Sequence, residues 1–252
     1  MNGDRIFDES LAGKFGQRIY GSYKGVLRQH LLLRDLTPLL STPTRVLDIG
    51  GGQGDMTLLL AQMGHQLTFT EPSAPMRQEA QKRFLAAGLD IGVSDQPLQA
   101  LDGQYPLVIF HAVLEWLAEQ PQALAQALAR VAPGGHLSLL FYNRHSIDFN
   151  HLIRGNFGHL SRGRYGGGKS LTPPQPLWPE EVADWLAAQP VEVLVKTGIR
   201  CFSDYFQKGQ HEPDLATRIH WEEKVANRDP YRALARYQHW LIHKLPAPAS
   251  SQ

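Results

Sequence analysis

One cysteine, Cys201, is the only thiol in the 252-residue chain, so no intramolecular disulfide is available and the composition suits a reducing compartment. An excess of charge is missing as well. Twenty-five Lys and Arg face 24 Asp and Glu, a formal net charge of +1, so any surface for a polyanion has to be local. No apolar run is long enough to span a membrane, and the polar start Met1-Asn2-Gly3-Asp4-Arg5 leads into no run of signal-peptide length. These absences predict a cytoplasmic protein with no membrane partner. Internal repeats are also lacking. What remains is 42% hydrophobic and 19% charged, a globular composition, long enough for one α/β domain with added segments.

Residues 1–40 read as an N-terminal helical extension, with Ser22 capping a helix through Val26, Leu27, Leu31 and Leu32 to about Arg34, closed by Thr37-Pro38. Arg45–Ile49 is a short apolar run halted at glycines, the pattern of a buried parallel strand. A helix over Met56–Met63 ends at Gly64, and a strand over Gln66–Thr70 ends at Glu71. Helix and strand then alternate through Pro75–Ala87, Ile91–Ser94, Leu107–Phe110 and Pro121–Val131, and Pro133-Gly134-Gly135 turns into His136–Tyr142. Such alternation implies a doubly wound, mostly parallel sheet with helices on both faces. Residues 144–176 interrupt it as a basic, glycine-containing insertion. Pro179–Ala188 reads as a helix, and Val191–Lys196 and Ile199–Phe202 as the last two of seven strands. From about Glu212 to Leu245 the tail reads as helical and aromatic, with Trp221, Tyr231, Tyr237 and Trp240 packing on the domain or serving an oligomer contact.

A strand that ends in glycines lets the backbone pass close to a ligand lying at the next helix N-terminus. Asp48-Ile49-Gly50-Gly51-Gly52-Gln53-Gly54 has that form. A dinucleotide turn needs G-x-G-x-x-G. Here the spacing is G-x-G-x-G, and Asp55 stands where the third dinucleotide glycine would fall, close to a pyrophosphate it would repel. S-adenosylmethionine (SAM) carries no phosphate, and its sulfonium and ammonium tolerate Asp48 and Asp55. Glu71, 17 residues after Gly54, falls where an acid can accept both ribose hydroxyls. Alone, a glycine cluster is a turn and an acid after a strand is a solvated side chain. Together in the first βαβ unit, they point to SAM.

Methyl transfer is a displacement at the sulfonium carbon, so the protein must align and supply an electron-rich acceptor. Methylation at a pyrimidine carbon would ask for a cysteine nucleophile, and Cys201 reads instead as a small buried hydrophobe. Amine methylation is associated with Asn-Pro-Pro-aromatic or Asp-Pro-Pro-aromatic after the fourth strand, where this chain reads Phe110-His111-Ala112-Val113-Leu114-Glu115-Trp116. His111, at the strand end where doubly wound sheets place ligands, suits a general base, a cofactor contact or a structural histidine. Trp116 suits the core better than a stacking platform. Arg28, among apolar neighbours, could grip the methionyl carboxylate or a substrate carboxylate, or lie exposed. Between Arg144 and Lys169 five basic residues (Arg144, Arg154, Arg162, Arg164, Lys169) meet one acid, Asp148, with His145, His151, His159, Phe157 and Tyr165 interleaved. Such a loop fits a phosphate backbone with unstacked bases, or is simply solvated.

Residues 45–142 resemble the class I SAM-dependent methyltransferases, which are Rossmann-like, and Ser94-Asp95 fall where that family contacts adenine. More of the chain resembles the bacterial tRNA 5-carboxymethoxyuridine methyltransferases. The resemblance lies in Lys14-Phe15, Ile19-Tyr20-Gly21, Lys24-Gly25-Val26-Leu27-Arg28-Gln29 and the Phe110–Trp116 run. It continues in Leu137–Asn143, Gly155-Asn156-Phe157, Leu171-Thr172-Pro173 and Lys196-Thr197-Gly198-Ile199-Arg200. It implies that SAM methylates the carboxylate of 5-carboxymethoxyuridine at the tRNA wobble position, uridine 34, with that tRNA as partner. Cofactor contacts carry over to Arg28, Gly50, Gly51, Glu71, Ser94, Asp95 and His111, joined by Asp48 and Gly52 of the turn. Glu71 replaces the family's more usual aspartate, and Arg164–Lys169 replaces a denser lysine run. A carboxylate is ionised at neutral pH, so no catalytic base and no metal are expected. Tyr142, Arg144, Arg154 or Arg200 would hold the substrate. The expected layout is one SAM-dependent methyltransferase domain over 1–252. It comprises an extension (1–40), a SAM-binding core (45–143), a basic insertion (144–176), a last helix and strands (177–206) and a helical tail (207–252). A methyltransferase for a small carboxylic acid or amine metabolite, and a non-catalytic SAM-binding partner subunit, are the competing readings.

Overall fold

The computed structural model describes residues 4, 6–10, 22–163, 171–206 and 213–246. Helix α1 (Tyr23–Leu36) starts where Ser22 Oγ accepts the Lys24 N–H at 3.3 Å, and stops in a 3₁₀ turn, Thr37–Leu39, that contains Pro38. Its buried stripe holds Leu27, Leu31, Leu32 and Leu36, with Arg28 and Asp35 on the same buried face.

The alternating core follows as β1 (Arg45–Ile49), α2 (Asp55–Gln62), β2 (Gln66–Thr70), α3 (Ala74–Ala86), β3 (Val93–Ser94), β4 (Tyr105–His111), α4 (Gln120–Ala129) and β5 (Val131–Tyr142). Strands β1 and β2 match the sequence expectation residue for residue. Within β5, pairing with β4 slips across Pro133-Gly134-Gly135, and regular register runs from His136. Next come α5 (Arg144–Ile153), α6 (Phe157–Arg162), α7 (Pro179–Ala187), β6 (Val191–Ile199), α8 (Leu215–Val225) and β7 (Tyr237–Lys244). The seven strands lie in the order β3-β2-β1-β4-β5-β7-β6, all parallel except β7, which runs antiparallel to both neighbours.

Three sequence expectations change. The last strand is not Ile199–Phe202: β6 already ends at Ile199, and Arg200 has a left-handed backbone (φ +65°) that extended pairing cannot continue. Among the described residues the tail is helical only at Leu215–Val225, and Tyr237–Lys244 enters the sheet between β5 and β6. The basic stretch is no loop where it is described, because Asn143 caps α5 through the His145 N–H (3.1 Å) and α6 follows. Lys14-Phe15, Ile19-Tyr20-Gly21 and Arg164–Lys169, with Tyr165, lie outside the described residues.

Side chains alternate between two cores. Leu47, Val108, Phe110, Leu139 and Trp240 face α4 and α7, while Val46, Ile109, Leu140 and Leu241 face α1 and α2. Strand order reverses between β1 and β4, and the C-terminal strand ends open there into a cavity, as expected for a doubly wound sheet.

Candidate active site

Four strand ends, Ile49, Thr70, His111 and Tyr142, line the cavity, and the glycine turn forms its floor. Gly50, Gly52 and Gly54 have φ of +64°, +60° and +77°, a region that side chains oppose. Gly51 is required for space instead. A Cβ there would lie 2.5 Å from the Phe69 ring and 2.7 Å from the Asp48 carboxylate. The turn is held by Glu71, whose Oε2 accepts the Gly52 N–H (2.9 Å) and whose Oε1 accepts the Ser73 N–H (2.8 Å). Burial raises the Glu71 carboxyl above its ordinary pKa, against those two backbone bonds.

Asp48 accepts the Thr57 hydroxyl at 2.6 Å, and burial, with the nearby charges of Glu71 and Asp55, lifts it to about 7. Asp55 pairs with Arg83 at 2.8 Å. That ion pair weakens the expected repulsion of a pyrophosphate by Asp55. The selection against a polyanion lies rather in Asp48 and Glu71, which line the same wall; the Arg77 charge acts on Glu71, but its Nη1 donates to the Glu71 and Pro72 carbonyls. A wall of carboxylates favours a cationic ligand.

Across the cavity, α1 contributes Arg28, 8% exposed, whose positive charge acts on both His111 and Glu115. Burial holds His111 uncharged, well below the ordinary histidine range, and the Arg28 charge adds to the effect. Its Nε2 lies 2.8 Å from Ser138 Oγ. Glu115, absent from the expected site residues, is fully buried, and burial raises it to about 8 against backbone N–H bonds and the Arg28 charge. Glu115 Oε2 has no partner among the described residues. Its place after a strand end gave no sign of this burial, because Glu115 sits in the short 3₁₀ turn Leu114–Trp116.

Tyr142 lines the cavity, and its hydroxyl accepts from Arg236 Nη1 at 2.5 Å. Arg236 Nε in turn donates to Asp204 at 2.6 Å. Arg200 is buried in an ion pair with the same Asp204 and does not line the cavity. Arg144 stacks over Trp178 at 4.7 Å, and Arg154 follows the end of α5; both stand outside the cavity. Ser94 and Asp95 do not line it; Asp95 is 3.7 Å from Arg77, and Gln96–Gln99 take part in the lining instead. Arg28, Asp48, Gly50, Gly51, Gly52, Glu71, His111 and Tyr142 therefore converge, while Ser94, Asp95, Arg144, Arg154 and Arg200 stand back.

An N-terminal strap also covers the site. Phe7 packs edge-on to Trp116 (4.8 Å) and its carbonyl accepts the Ser73 hydroxyl (2.6 Å), while Asp4 accepts the Ala118 N–H (2.7 Å). Cys201 is buried away from the cavity; burial, with Glu222 adding, raises its thiol far above the ordinary range, which leaves no thiolate for nucleophilic chemistry.

A methyltransferase-domain family model matches residues 27–203. The tRNA 5-carboxymethoxyuridine methyltransferase of Escherichia coli (strain K12) is 35% identical over 253 residues, spanning 96% of this chain and 97% of that protein. The trans-aconitate 2-methyltransferase of Deinococcus radiodurans is 30% identical, but only over 48% of this chain and 47% of its own. Among solved structures, the magnesium protoporphyrin IX methyltransferase from Synechocystis PCC 6803 with bound SAH superposes with a TM-score of 0.60 at 17% identity, over 93% of this chain and 98% of that one. A likeness at that identity is one of fold. With a near-full-length relative above 30% identity and a domain model over most of its length, the chain belongs to the tRNA 5-carboxymethoxyuridine methyltransferase family, within the wider methyltransferase-domain family.

Proposed function

We propose that this chain transfers the methyl group of SAM to the carboxylate of 5-carboxymethoxyuridine at the wobble position of tRNA, forming the methyl ester. What carries the proposal is one cavity that joins a carboxylate-rich wall, suited to a cation, to the Tyr142–Arg236 pair, suited to an anion. Glu71 would take the ribose hydroxyls, Gly50–Gly52 would pass beneath the ligand, and Arg28 would take the methionyl carboxylate. Bound there, SAM supplies a methyl group activated by its sulfonium.

The remaining work falls to positioning. The acceptor carboxylate is already ionised at neutral pH and needs no base. Tyr142 accepts from Arg236, so its own proton is left to donate to an acceptor oxygen and hold it in line with the methyl group. Glu115, raised to about 8, is mostly protonated at neutral pH and does not repel that carboxylate. The strap over Trp116 and Ser73 limits entry of water from the α3 side.

Arg144, Arg154 and Arg162, with the exposed ring of Phe157, follow directly from the end of β5 and would contact the anticodon stem and loop. On this reading residues 1–252 act as one catalytic domain in the cytoplasm. No helix among the described residues is long and apolar enough to cross a membrane. Labelled SAM, purified protein and tRNA bearing 5-carboxymethoxyuridine, followed by nucleoside mass spectrometry, test the proposal. One added methyl on that nucleoside supports it, and transfer solely to small free acids overturns it.

A further inference from the structure

On the α1 face of the sheet, where neighbouring positions are Ile109, Leu140 and Leu241, three adjacent strands instead place His111, Ser138 and His239. Ser138 and His239 are completely buried, and Asp35 of α1 is 7% exposed. The four form an unbroken line. Asp35 Oδ2 lies 2.7 Å from His239 Nδ1, His239 Nε2 lies 2.9 Å from Ser138 Oγ, and Ser138 Oγ lies 2.8 Å from His111 Nε2. Polar groups in an apolar layer cost free energy unless every one is bonded, so leucine would be the cheaper residue at each position.

The direction of the line follows from its fixed end. Burial works against an ionised Asp35, but hydrogen bonds from His239, Thr197 and Arg34 outweigh it and hold the carboxyl below its ordinary pKa. An ionised carboxylate only accepts, so His239 Nδ1 carries a proton. Arg34 already bonds the other Asp35 oxygen through both Nε and Nη2, so the carboxylate needs no second cation, and His239, with Nδ1–H turned to Asp35, accepts the Ser138 hydroxyl at Nε2. Ser138 Oγ accepts in turn from His111 Nε2–H. That leaves His111 Nδ1 bare, in a residue that lines the cavity, with no partner among the described residues.

We propose that Asp35, His239 and Ser138 are positioning residues that fix His111 in its Nε2–H tautomer and present Nδ1 as an acceptor for the ammonium of the bound amino-acid moiety, an assignment that depends on the cavity holding SAM. The reverse polarity, with Nδ1–H pointing out, would oppose an ammonium. Two elements distant in sequence thereby set one atom of the ligand site, since Asp35 and His239 are 204 residues apart.

The test uses the full chain with ¹⁵N-labelled histidine. Long-range ¹H–¹⁵N spectra of the unliganded protein should show His111 protonated at Nε2 and His239 at Nδ1. In Ser138→Ala, His111 should lose its single tautomer. The dissociation constant for S-adenosylhomocysteine should rise about tenfold, the loss of one hydrogen bond to a charged group, while that for its desamino analogue moves less than twofold. Asp35→Asn should shift both readouts in the same direction. A His111 protonated at Nδ1 in the wild type overturns the inference, as does a Ser138→Ala protein that binds both ligands like the wild type. A wild type that shows the expected tautomers yet binds neither ligand overturns the SAM reading of the cavity and leaves the positioning line standing.

Discussion

Removing the Glu71 carboxylate isolates the cofactor half of the site. Each of its oxygens already accepts one backbone N–H, from Gly52 and from Ser73, and each keeps a second lone pair for a ribose hydroxyl. A hydrogen bond to a charged group contributes ~1.5–3 kcal/mol. Two such bonds, lost together and partly replaced by water, amount to ~3 kcal/mol, or about 150-fold in affinity. Glu71→Ala should therefore weaken S-adenosylhomocysteine by about two orders of magnitude in isothermal titration calorimetry. Glu71→Gln keeps one accepting oxygen and sets an amide against a backbone N–H, so about tenfold is expected. Folding should suffer less than binding in the glutamine variant. Burial raises the Glu71 pKa, so the ionised carboxylate is itself held against a desolvation cost that the neutral amide avoids in part. A folded Glu71→Ala protein that binds within threefold of the wild type would refute the assignment of Glu71 to the ribose.

Tyr142→Phe removes the hydroxyl held by Arg236; kcat/KM for tRNA should fall about tenfold while S-adenosylhomocysteine affinity stays within twofold, and a loss confined to cofactor binding would contradict this. Asp48 titrates near 7 and favours a cation only when ionised, so SAM affinity should rise between pH 6 and 8 with proton release below pH 7, more steeply than for the uncharged thioether product; a flat or falling profile in calorimetry would count against the carboxylate wall. Gly51→Ala drives a Cβ to 2.5 Å from Phe69; overpacking of ~1–3 kcal/mol should lower Tm by roughly 3–10 °C, and an unchanged melting curve would show that the turn relaxes freely. Cys201→Ala should keep methyl transfer near the wild-type rate, because the buried thiol lies outside the cavity.

How the site is read from sequence depends on the distance between partners. Arg28 is legible because it interrupts an apolar helical stripe; Asp35, seven residues on, occupies the same buried face and carries the same kind of signal. Its partner is what hides it. His239 belongs to a segment whose aromatic and polar residues read as a helical tail, and only pairing with β5 and β6 makes it a central strand. Arg200 looked like a free cation for a substrate carboxylate, yet Asp204 occupies it. Arg236, which reaches Tyr142, gave no local sign at all.

Strands β1 and β2, the cap of α1, the glycine turn and the acid after β2 can all be read from the order of residues. Each is governed by neighbours within one helical turn or one strand: the apolar run, the φ > 0 positions, the hydroxyl at the helix start. The place of β7, the burial of Glu115 and the choice of arginine facing the cavity emerge from the folded chain. It alone also joined Asp35, His239, Ser138 and His111 into one line. Those outcomes depend on desolvation and on hydrogen-bond partners up to 204 residues away, and a polar residue shows no sign in its own neighbourhood of the partner that will satisfy it.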